Sequence, residues 1–531
     1  MEKTYPNISK EKFEFAYSDG VLHDERLQTK SRSYLQDAFR RFRKNKSSVV
    51  AAGIICFLIL FAIFAPIISP YTVFDRNTNF AKMPPFIPSI AEKNLGIFDG
   101  ASKRDSQNQA QIDSLVAIGV ETGYEPLIKI TGTKDVVEIY RGKERVTTYY
   151  SVEVNSYYSI GTKTINMSYE TYQKIQQWQD ENQIQVLLPW VEKSEVYSGI
   201  DSNKIPEGEL NSNIWYKMKY DSSTKKVVID KDADGNFKSV YCSNAKLAGT
   251  YPDGSPILYT STMRVDGDDG SYIYSRGKSG SVNCRVNYYN YYLFLNDGVE
   301  PMFVFGTDEY GADLFCAIGM GARFSLVFAV IVASINLTIG AFYGAVQGYY
   351  GGILDLTLDR ISDILSGVPF IVVATLFQLH LAQKVGPVVS FLFAFVLTGW
   401  IGMAALTRKQ FYRFKGQEYI MAARTLGASD GRLMFKHIFP NAIGTMITSC
   451  ALVIPGVISS ETSLSYLGII NMTEVTGTSI GTLMASGQTA MAAAPHAMLY
   501  PALFVSLLLI SFNLFGNGLR DAFNPSTRGE E

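Results

Sequence analysis

Charged and chemically reactive side chains are scarce in this sequence. Of its 531 residues only 18% are charged, the formal net charge is -1, and four are histidines. A chain without a cationic excess is poorly suited to neutralising a phosphate backbone, which argues against a nucleic-acid-binding protein. No HExxH or GxSxG setting surrounds the histidines, so an intramembrane hydrolase gains no support. The histidines are His23, His380, His437 and His496.

Motifs that bind metals or nucleotides are lacking as well. The five cysteines form no CxxC pair and no cluster with histidine, so no zinc or iron–sulfur site is expected. The segment DKDADG at 230–235 begins like a calcium loop, but Tyr241 stands where that loop needs a bidentate glutamate, and a turn between strands is the better interpretation. A GKS at 277–279 has Tyr272 in the place of the first glycine of a phosphate loop. We expect no metal or cofactor on this chain.

Apolar residues are abundant, at 47% of the sequence, and they are gathered into long blocks. A hydrocarbon core of about 30 Å requires roughly 20 apolar residues in a helix. The first block follows a long polar stretch and is interpreted as a retained span, not as a cleaved signal peptide. The sequence therefore predicts an all-α polytopic membrane protein. The six segments long enough to span are 47–69, 323–347, 361–383, 388–407, 442–468 and 496–517.

Lysines and arginines beside the predicted spans indicate their orientation. Seven lie between residues 30 and 46, before the first span, and seven lie between residues 408 and 436, whereas the loop 469–495 has none. With six spans, we predict that both termini and the loop between spans four and five are cytoplasmic. Residues 71–305 are then extracellular.

The segment 71–305 is rich in Tyr, Asn, Ser and Asp. Its alternating stretches, such as TTYYSVEV, KKVVID and NYYLFL, predict strands with one buried face. The run SYETYQKIQQWQDEN, which starts at the capping residue Ser168, predicts one helix. We expect an independent α+β domain of about 235 residues. Cys242 and Cys284 lie within it and are a candidate disulfide if the domain is outside the cell.

Glycines recur at four-residue intervals in the second predicted span, at Gly340, Gly344, Gly348 and Gly352. They lie along one helix face, where a second backbone can approach closely. Tight packing within the bundle is the first interpretation, and a moving or pore-lining face is the alternative.

Glu461 lies in the fifth predicted span, where a carboxylate is costly unless it faces protein or water. A hydrogen bond between helices and direct participation in a translocation path are both open interpretations. We group Glu461 with Ser465 and Asn513 as candidate residues of such a path.

The segment MAARTLGASDGRLMFKHIFPN lies between the fourth and fifth spans. Residues 418–426 predict a short helix, which Gly427 ends by adopting a left-handed conformation. Ser429 or Asp430 then caps a second helix. Pro440 is expected to bias the residue before it away from helical geometry and to mark the return to the membrane. The product is a rigid helix-turn-helix knob, suited to docking into a groove on a soluble protein.

This segment resembles the cytoplasmic loop of the permease subunits of ATP-binding-cassette importers, in which an EAA pattern is followed by a glycine and an I-x-L-P pattern. The C-type permeases of oligopeptide and dipeptide importers resemble the chain more closely, since their motifs occur in order over residues 305–525. The motifs are FGTDEYGAD (305–313), GARFSL (321–326), GYYGGILD (348–355), YIMAARTLGASD (419–430), HIFPNA (437–442), ETSLSYLG (461–468) and NLFGNGLRDAFNP (513–525).

The resemblance implies the fold of a type I importer permease with six transmembrane helices, to which the composition of residues 71–305 adds a large extracellular α+β insert between helices 1 and 2. It also implies a homologous second permease, two cytoplasmic ATPases that carry ATP and Mg, and an extracellular binding protein, which is lipid-anchored or periplasmic, that delivers peptide. This chain would catalyse no covalent chemistry and would alternate between outward-open and inward-open states.

The implied divisions are a cytoplasmic segment 1–46, helix 1 at 47–69, the insert 70–305, a permease core 306–519 and a cytoplasmic tail 520–531. Residues 408–441 are called the coupling loop, which would carry closure of the ATPases to the spans. The coupling residues implied by the resemblance are Glu418, Met421, Ala422, Ala423, Gly427, Ala428, Ser429, Asp430, His437 and Pro440.

The chain departs from the family pattern at several places. Met421 replaces the glutamate of the EAA pattern, for which Glu418 is a possible substitute, and Ala312 replaces the arginine of a GRD element. The insert is far longer than is usual in the family, and we expect it to be a docking platform for the binding protein. Related importers carry nickel chelates or other small solutes. An alternative from another class is a membrane-anchored receptor or scaffold, whose loop only recruits a partner.

Overall fold

The computed structural model describes most of the chain, and the statements below concern the described residues. They are residues 34–93, 96–140, 143–188, 196–205, 217–231, 279–470 and 478–523, with short pieces between 233 and 277.

The fold has an apolar helical part and a part that contains the strands. The helices are α1 (Tyr34–Lys44), α2 (Lys46–Ile68), α3 (Pro88–Ala91), α4 (Gln109–Thr122), α5 (Tyr169–Asn182), α6 (Tyr288–Leu295), α7 (Leu314–Tyr350), α8 (Gly352–Ser366), α9 (Phe370–His380), α10 (Ala382–Val385), α11 (Pro387–Gly399), α12 (Ile401–Lys415), α13 (Glu418–Thr425), α14 (Asp430–Arg432), α15 (Phe439–Tyr466), α16 (Ile480–Ala490) and α17 (Pro495–Phe523).

The strands all lie between α3 and α6. They are β1 (Ala101–Gln107), β2 (Leu127–Tyr140), β3 (Lys143–Asn155), β4 (Thr162–Ser168), β5 (Leu187–Leu188), β6 (Met218–Asp221), β7 (Lys226–Ile229), β8 (Leu247–Thr250), β9 (Pro256–Leu258), β10 (Met263–Asp266), β11 (Ser271–Tyr274) and β12 (Ser281–Asn287).

Five of the described helical segments are long and apolar enough to cross a membrane, or six if the bent pair of α8 and α9 counts as one span. The five are α2, α7, α11 with α12, α14 with α15, and α17. The predicted third span, 361–383, was not a single straight helix, because α8 and α9 meet at an angle of 72°. Pro369 explains the break, since proline lacks an N–H donor and disfavours helical geometry in the residue before it.

Helix α7 is the centre of the bundle and packs against α2, α12 and α15. Its Arg323 repairs a defect in α2, where Pro66 has no N–H to donate to the carbonyl of Ala62. The Arg323 guanidinium donates to that carbonyl at 3.2 Å and to the carbonyl of Ile63 at 2.7 Å. A proline within a membrane helix is thus compensated from a neighbouring helix.

The glycine stripe of α7 packs against α12, as the first interpretation expected. A Cβ on Gly340 would lie 2.7 Å from the Trp400 carbonyl oxygen, and one on Gly348 would lie 2.6 Å from the Phe411 Cβ. Gly344 faces the backbone of Ala404 in the same way. Gly352 is an exception, because α7 ends at Tyr350 and Gly352 has a positive φ of 60° with nothing within 4 Å of its Cβ position.

Two antiparallel three-stranded sheets form the main part of the insert. In one sheet β3 lies between β1 and β2 and is covered by α4, and in the other β12 lies between β4 and β5 and is covered by α5. A buried ion pair joins α4 to β12, with 2.6 Å between Arg285 Nη2 and Glu121 Oε2. Burial raises the pKa of Glu121, and the charge of Arg285 opposes this rise.

The helix predicted from Ser168 is confirmed as α5, and the Ser168 hydroxyl accepts from the Thr171 N–H at 3.1 Å. The strand predicted for NYYLFL was wrong, because these residues belong to α6. The Asn287 side chain caps α6. The tyrosines of α6 are buried on several faces of the helix, so the alternation of aromatic residues in the sequence did not indicate a strand. Sequence reasoning also missed α4, although Asn108 and Gln111 form a capping box at its start.

Cys284 is buried in the core between β12 and α5. Cys242 lies outside the described residues, as do Tyr241 and part of the 230–235 segment, so the disulfide stays a prediction. Asp230 itself lies directly after β7, and its carboxylate pairs with Lys219 at 3.2 Å and with Lys238 at 3.1 Å.

The insert is fastened to the start of α7 by a short hydrogen-bonded segment. The Thr307 hydroxyl donates to the Phe80 carbonyl at 2.5 Å and accepts from the Met83 N–H at 2.8 Å. Phe86 and Phe303 form an antiparallel bridge beside it, and Asp313 caps α7. These contacts hold the insert next to the ends of α2 and α7.

Candidate functional site

The coupling loop contains one short helix, α13, followed by the tight turn that its sequence predicted, whereas the predicted second short helix is the beginning of the long helix from Asp430 to Tyr466. Helix α13 ends at Thr425, and Gly427 follows with a φ of 84°, the left-handed conformation expected for it. The Gly427 N–H donates to the Arg424 carbonyl at 3.0 Å, and the Ala428 N–H donates to the Ala423 carbonyl at 3.1 Å. These two bonds occupy carbonyls at the end of α13 and fix the direction in which α14 begins.

Capping of the second helix differs from the prediction. Ser429 occupies the capping position with extended backbone angles, but its side chain makes no capping hydrogen bond. The carboxylate of Asp430 accepts instead from the Tyr349 hydroxyl at 2.6 Å. Asp430 therefore ties the loop to the end of α7.

Pro440 does not end the helix, so the predicted break before it was wrong. Phe439 is helical (φ -56°, ψ -44°), and the segment from Asp430 to Tyr466 is one long helix. The reason is a π-helical turn at Leu433–Ile438, in which the Phe439 N–H donates to the Met434 carbonyl five residues earlier. This wider turn relieves the clash that a proline ring makes with the preceding turn of an α-helix.

The side of the coupling loop that faces α7 and α12 is apolar, and its buried side chains form a cluster that we call the plug. Ile420, Leu433 and Ile438 are fully buried, and Met434 is almost so. They pack against α7 and α12, on Ala345, Tyr349 and Phe411. Burial of these side chains fixes the loop to the two helices that the glycine stripe joins, so the loop, α7 and α12 form one packed unit.

Polar contacts at the edge of the plug reinforce this unit. Lys415 Nζ donates to the Gly348 carbonyl at 3.0 Å, at the end of α7, and lies 4.3 Å from the centre of the Tyr412 ring. The Arg424 guanidinium lies 3.5 Å from the Tyr349 hydroxyl that binds Asp430. Lys415 therefore lies at the end of α7, where the helix carbonyls concentrate negative potential.

The outer face of the loop is open to solvent. Glu418, Met421, Ala422, Gly427, Ser429, Asp430 and Pro440 are exposed, and Ala423, Ala428 and His437 are half-buried. Sequence reasoning missed Leu426, which is 88% exposed and stands at the apex of the turn. Its position directly before the left-handed glycine was the available signal. Such a turn exposes its side chains, and a large apolar side chain gains no stability from exposure to solvent.

Two of the three candidate path residues lie together. Glu461 is fully buried in α15 and accepts from the Ser325 hydroxyl of α7 at 2.8 Å and from the Ser465 hydroxyl at 3.0 Å. This is the hydrogen bond between helices that one interpretation expected. Asn513 is not with them and is exposed on α17.

A cleft of about 490 Å³ reaches Ser465 from the side of the insert. Arg76, Asp308 and Glu309 from the insert junction line it on one side, and α16 lines it on the other. Asp308 is held by the N–H groups of Tyr310 and Ala312, each at 2.8 Å, and burial raises its pKa. Ala312, which departs from the family's arginine, is buried in this wall.

No group of three or more His, Cys, Asp or Glu residues that could hold a metal ion was found within the described ranges.

Two family models match the chain. The model described as binding-protein-dependent transport system inner membrane component matches residues 336–529, and the N-terminal TM domain of oligopeptide transport permease C matches residues 33–85. Neither match includes most of the insert.

Relatives with assigned names match the chain more extensively. The oligopeptide transport system permease protein OppC of Bacillus subtilis is 38% identical over 224 residues, which are 42% of this chain and 72% of that protein. The dipeptide transport system permease protein DppC of the same organism is 36% identical, over 42% of this chain and 69% of that protein. OppC of Escherichia coli K12 is 34% identical, over 43% of this chain and 74% of that protein.

A solved structure of the MetNI methionine ABC transporter, in inward-facing conformations, matches with a TM-score of 0.30 at 14% identity. The match covers 38% of this chain and 96% of that chain.

Proposed function

This chain belongs to the family of binding-protein-dependent transport system inner membrane components, and we propose that it is the permease subunit of an ATP-driven importer of oligopeptides or dipeptides. The observation that carries the proposal is the coupling loop, which has an apolar inner face packed on α7 and α12 and an exposed outer face with Leu426 at its apex. A loop built in this way can bind a soluble protein on its exposed face and transmit movement of that protein to the helices on which it packs.

The proposed partners follow from this role. Two ATPases with bound ATP and Mg contact the exposed faces of this loop and of the matching loop on a second, homologous permease. Met421, on α13, is 56% exposed and stands where the family has a glutamate, and the apolar Leu426 at the end of α13 is 88% exposed. An apolar contact at Met421 and Leu426 therefore replaces the missing ionic contact, and Glu418 supplies the only carboxylate of α13.

ATPase closure would move the loop, and the loop would move its packed unit. The plug residues and the glycine stripe leave no space between the loop, α7 and α12, so the three elements shift as a rigid body. α7 also carries Ser325, which binds Glu461 of α15. Because the loop continues into α15 as one long helix, its movement would also reach Ser465 and the cleft beside it, where the peptide path is proposed to open.

The proposed topology places both termini and the coupling loop in the cytoplasm of a cell with this chain in its plasma or inner membrane. The insert, residues 71–305, is then outside. Residues at its junction with α7, among them Arg76 and Asp308, line the cleft, and this position supports its role as a docking platform for the peptide-binding protein.

A gentle affinity purification of the tagged chain from its native membrane, with mass-spectrometric identification of the retained proteins, tests the proposal. We expect a second permease and two ATPases to be recovered with the chain. Recovery of this chain alone, or with unrelated envelope proteins, would favour a receptor or scaffold. A complex that imports a nickel chelate or another small solute and no peptide would retain the importer and correct its substrate.

A further inference from the structure

An ionic cluster outside the coupling contacts joins α12 to α8. The two guanidinium nitrogens of Arg408 bind two carboxylates of α8, with Nη2 at 2.7 Å from Asp355 Oδ2 and Nη1 at 2.8 Å from Asp359 Oδ1. The Tyr412 hydroxyl, one turn further along α12, donates to the same Asp355 oxygen at 2.6 Å. We call these four residues the Arg408 clamp.

The clamp is distinct from ordinary surface ion pairs in its burial. The side chain of Asp355 is only 8% exposed and that of Arg408 is 28% exposed, whereas the Arg360–Asp363 pair on the same helix is 72% and 58% exposed. Exposed pairs contribute little to stability, but a partly buried guanidinium that bridges two carboxylates holds a defined geometry. The second oxygen of Asp355 is buried and makes no hydrogen bond, so the clamp is not fully satisfied in this conformation.

Few other contacts hold α8 against the rest of the chain: it follows α7 directly after Gly351, and the Tyr343 hydroxyl of α7 donates to its Leu358 carbonyl at 2.7 Å. Asp355 and Ser362 are its only buried residues, and Ile353, Leu356 and Ile364 are 85%, 58% and 74% exposed. α8 leads through the break at Pro369 into α9, at an angle of 72°. The clamp is thus the main polar link from the packed unit of loop, α7 and α12 to the bent pair of α8 and α9.

We propose that Arg408 is a positioning residue that transmits movement of the coupling loop to the bent pair of α8 and α9. This inference rests on the proposed function. It adds a second route to the one through α7, because Arg408 is the first residue of the coupling loop and lies on α12, which ends at Lys415 shortly before α13. If α12 moved along its axis, Arg408 would pull both Asp355 and Asp359 in the same direction. This movement of α8 would change the angle at the α8–α9 break.

The geometry requires arginine. Its planar fork reaches two carboxylates at once, whereas the ammonium of a lysine is a single point charge. We therefore expect Arg408→Lys to keep one of the two links and Arg408→Gln to lose both ionic links.

The experiment uses the complete complex in proteoliposomes, with the wild type, Arg408→Gln, Arg408→Lys and the control Arg360→Gln. Peptide imported per ATP hydrolysed is measured together with ATP hydrolysis in the presence of the binding protein and peptide. We expect Arg408→Gln to lower the ratio at least about fivefold, the lower range for coupling between sites. We expect its hydrolysis rate to stay close to that of the wild type, because the exposed residues of α13 and of the turn at Gly427 are unchanged. Arg408→Lys lies between the two, and Arg360→Gln equals the wild type.

An unchanged ratio in Arg408→Gln overturns the inference, and so does an equal loss of hydrolysis and uptake, which is the result of a purely structural role. If Arg408→Gln fails to assemble, Asp359→Asn is decisive, since its carboxylate is 41% exposed and the Asp355 link remains. A lower ratio in Asp359→Asn supports the clamp, and an unchanged ratio rejects it. A wild-type complex without ATP-dependent uptake would instead overturn the proposed function.

Discussion

The side chain of Glu461 joins two helices of the helical part through hydrogen bonds. It is fully buried in α15, and its two carboxylate oxygens accept from Ser325 and Ser465. A buried polar group is tolerated when its hydrogen bonds are made and is costly when one partner is removed. The sequence identified Glu461 as a residue that needs a partner, but Ser325 is 136 positions away and nothing local indicated it.

Glu461→Ala should lower the free energy of unfolding by about 1–3 kcal/mol, because the hydroxyls of Ser325 and Ser465 lose their acceptor. Chemical denaturation of the purified complex in detergent measures the change. Ser463→Ala is the matched control, since its hydroxyl is exposed and bonds only to the Ser459 carbonyl of its own helix. Equal stability of the two variants would show that the Glu461 network does not stabilise the fold.

Single residues also show where sequence reasoning reaches its limit. The left-handed conformation of Gly427 followed from local rules alone, since glycine is the residue that adopts it without strain. The helical geometry at Pro440 did not, because it depends on a π-turn at Leu433–Ile438 that no residue type specifies. Asp430 was expected to cap a helix, but a tyrosine 81 positions earlier claims its carboxylate.

At the scale of elements, the contact between α7 and α12 depends on residues that have no side chain. Gly340, Gly344 and Gly348 present their backbone to α12. The four-residue spacing predicted such a face, but the identity of the opposing helix was not contained in the spacing. Gly352 fell outside the pattern because α7 ends two residues before it.

Gly344→Ala should separate α7 from α12, since its Cβ would lie 2.8 Å from the Thr407 Cβ and would press on the Ala404 backbone. Overpacking of this kind costs about 1–3 kcal/mol. Thermal unfolding of the purified complex tests this, with Gly402→Ala as the control, because a Cβ there meets nothing within 4 Å. The account of the stripe fails if the two variants unfold at the same temperature.

Gly427→Pro should uncouple ATP hydrolysis from uptake while the protein still inserts and assembles. Proline removes the N–H that binds the Arg424 carbonyl and cannot adopt a φ of 84°, and a disallowed proline costs about 3 kcal/mol or more. Hydrolysis and uptake are measured in the same vesicles. Gly431→Ala is the control, since Gly431 lies four residues after Gly427 and a Cβ there would have no atom within 4 Å. Normal uptake in Gly427→Pro would refute the coupling role of the turn.

The choice between helix and strand was predictable where local sequence signals were strong. The prediction failed where an element is buried on several sides, because its apolar residues then show no regular period. The cap at Ser168 located α5, whereas the tyrosines of α6 are buried on several sides and alternate without forming a strand. The blocks of apolar residues located the membrane helices, but the bend between α8 and α9 required attention to Pro369, which the predicted span 361–383 passed over.

At the scale of the whole molecule, the insert lies beside the ends of α2 and α7, and one pair of its strands extends beyond its hydrophobic core. Strands β2 and β3 pair along 12 cross-strand positions, from Leu127 opposite Val154 to Tyr140 opposite Lys143. β1 covers β3 only from Tyr150 onward, so the far end of the pair is a two-stranded ribbon. Val137, Ile139 and Val146 are 56%, 77% and 60% exposed there. A two-stranded ribbon is marginally stable alone, which favours contact with another molecule.

Excision of residues 135–148, with Lys134 joined to Tyr149 by Asn-Gly, should weaken binding of the peptide-binding protein at least about tenfold, or 1.4 kcal/mol. The cut keeps α4 and the buried Val152 and Val154 that it covers. Affinity for the complex in nanodiscs measures the effect, and replacement of the β6–β7 turn, residues 222–225, by Asn-Gly is the control. Unchanged affinity after removal of the ribbon would exclude it as the docking surface.

ATP-dependent uptake of a labelled peptide by proteoliposomes that contain the purified complex tests the central claim most directly. We predict uptake that requires ATP on the side of the coupling loop and the binding protein on the side of the insert. A complex that contains both permeases and the ATPases, hydrolyses ATP and moves no peptide in this orientation would contradict the account.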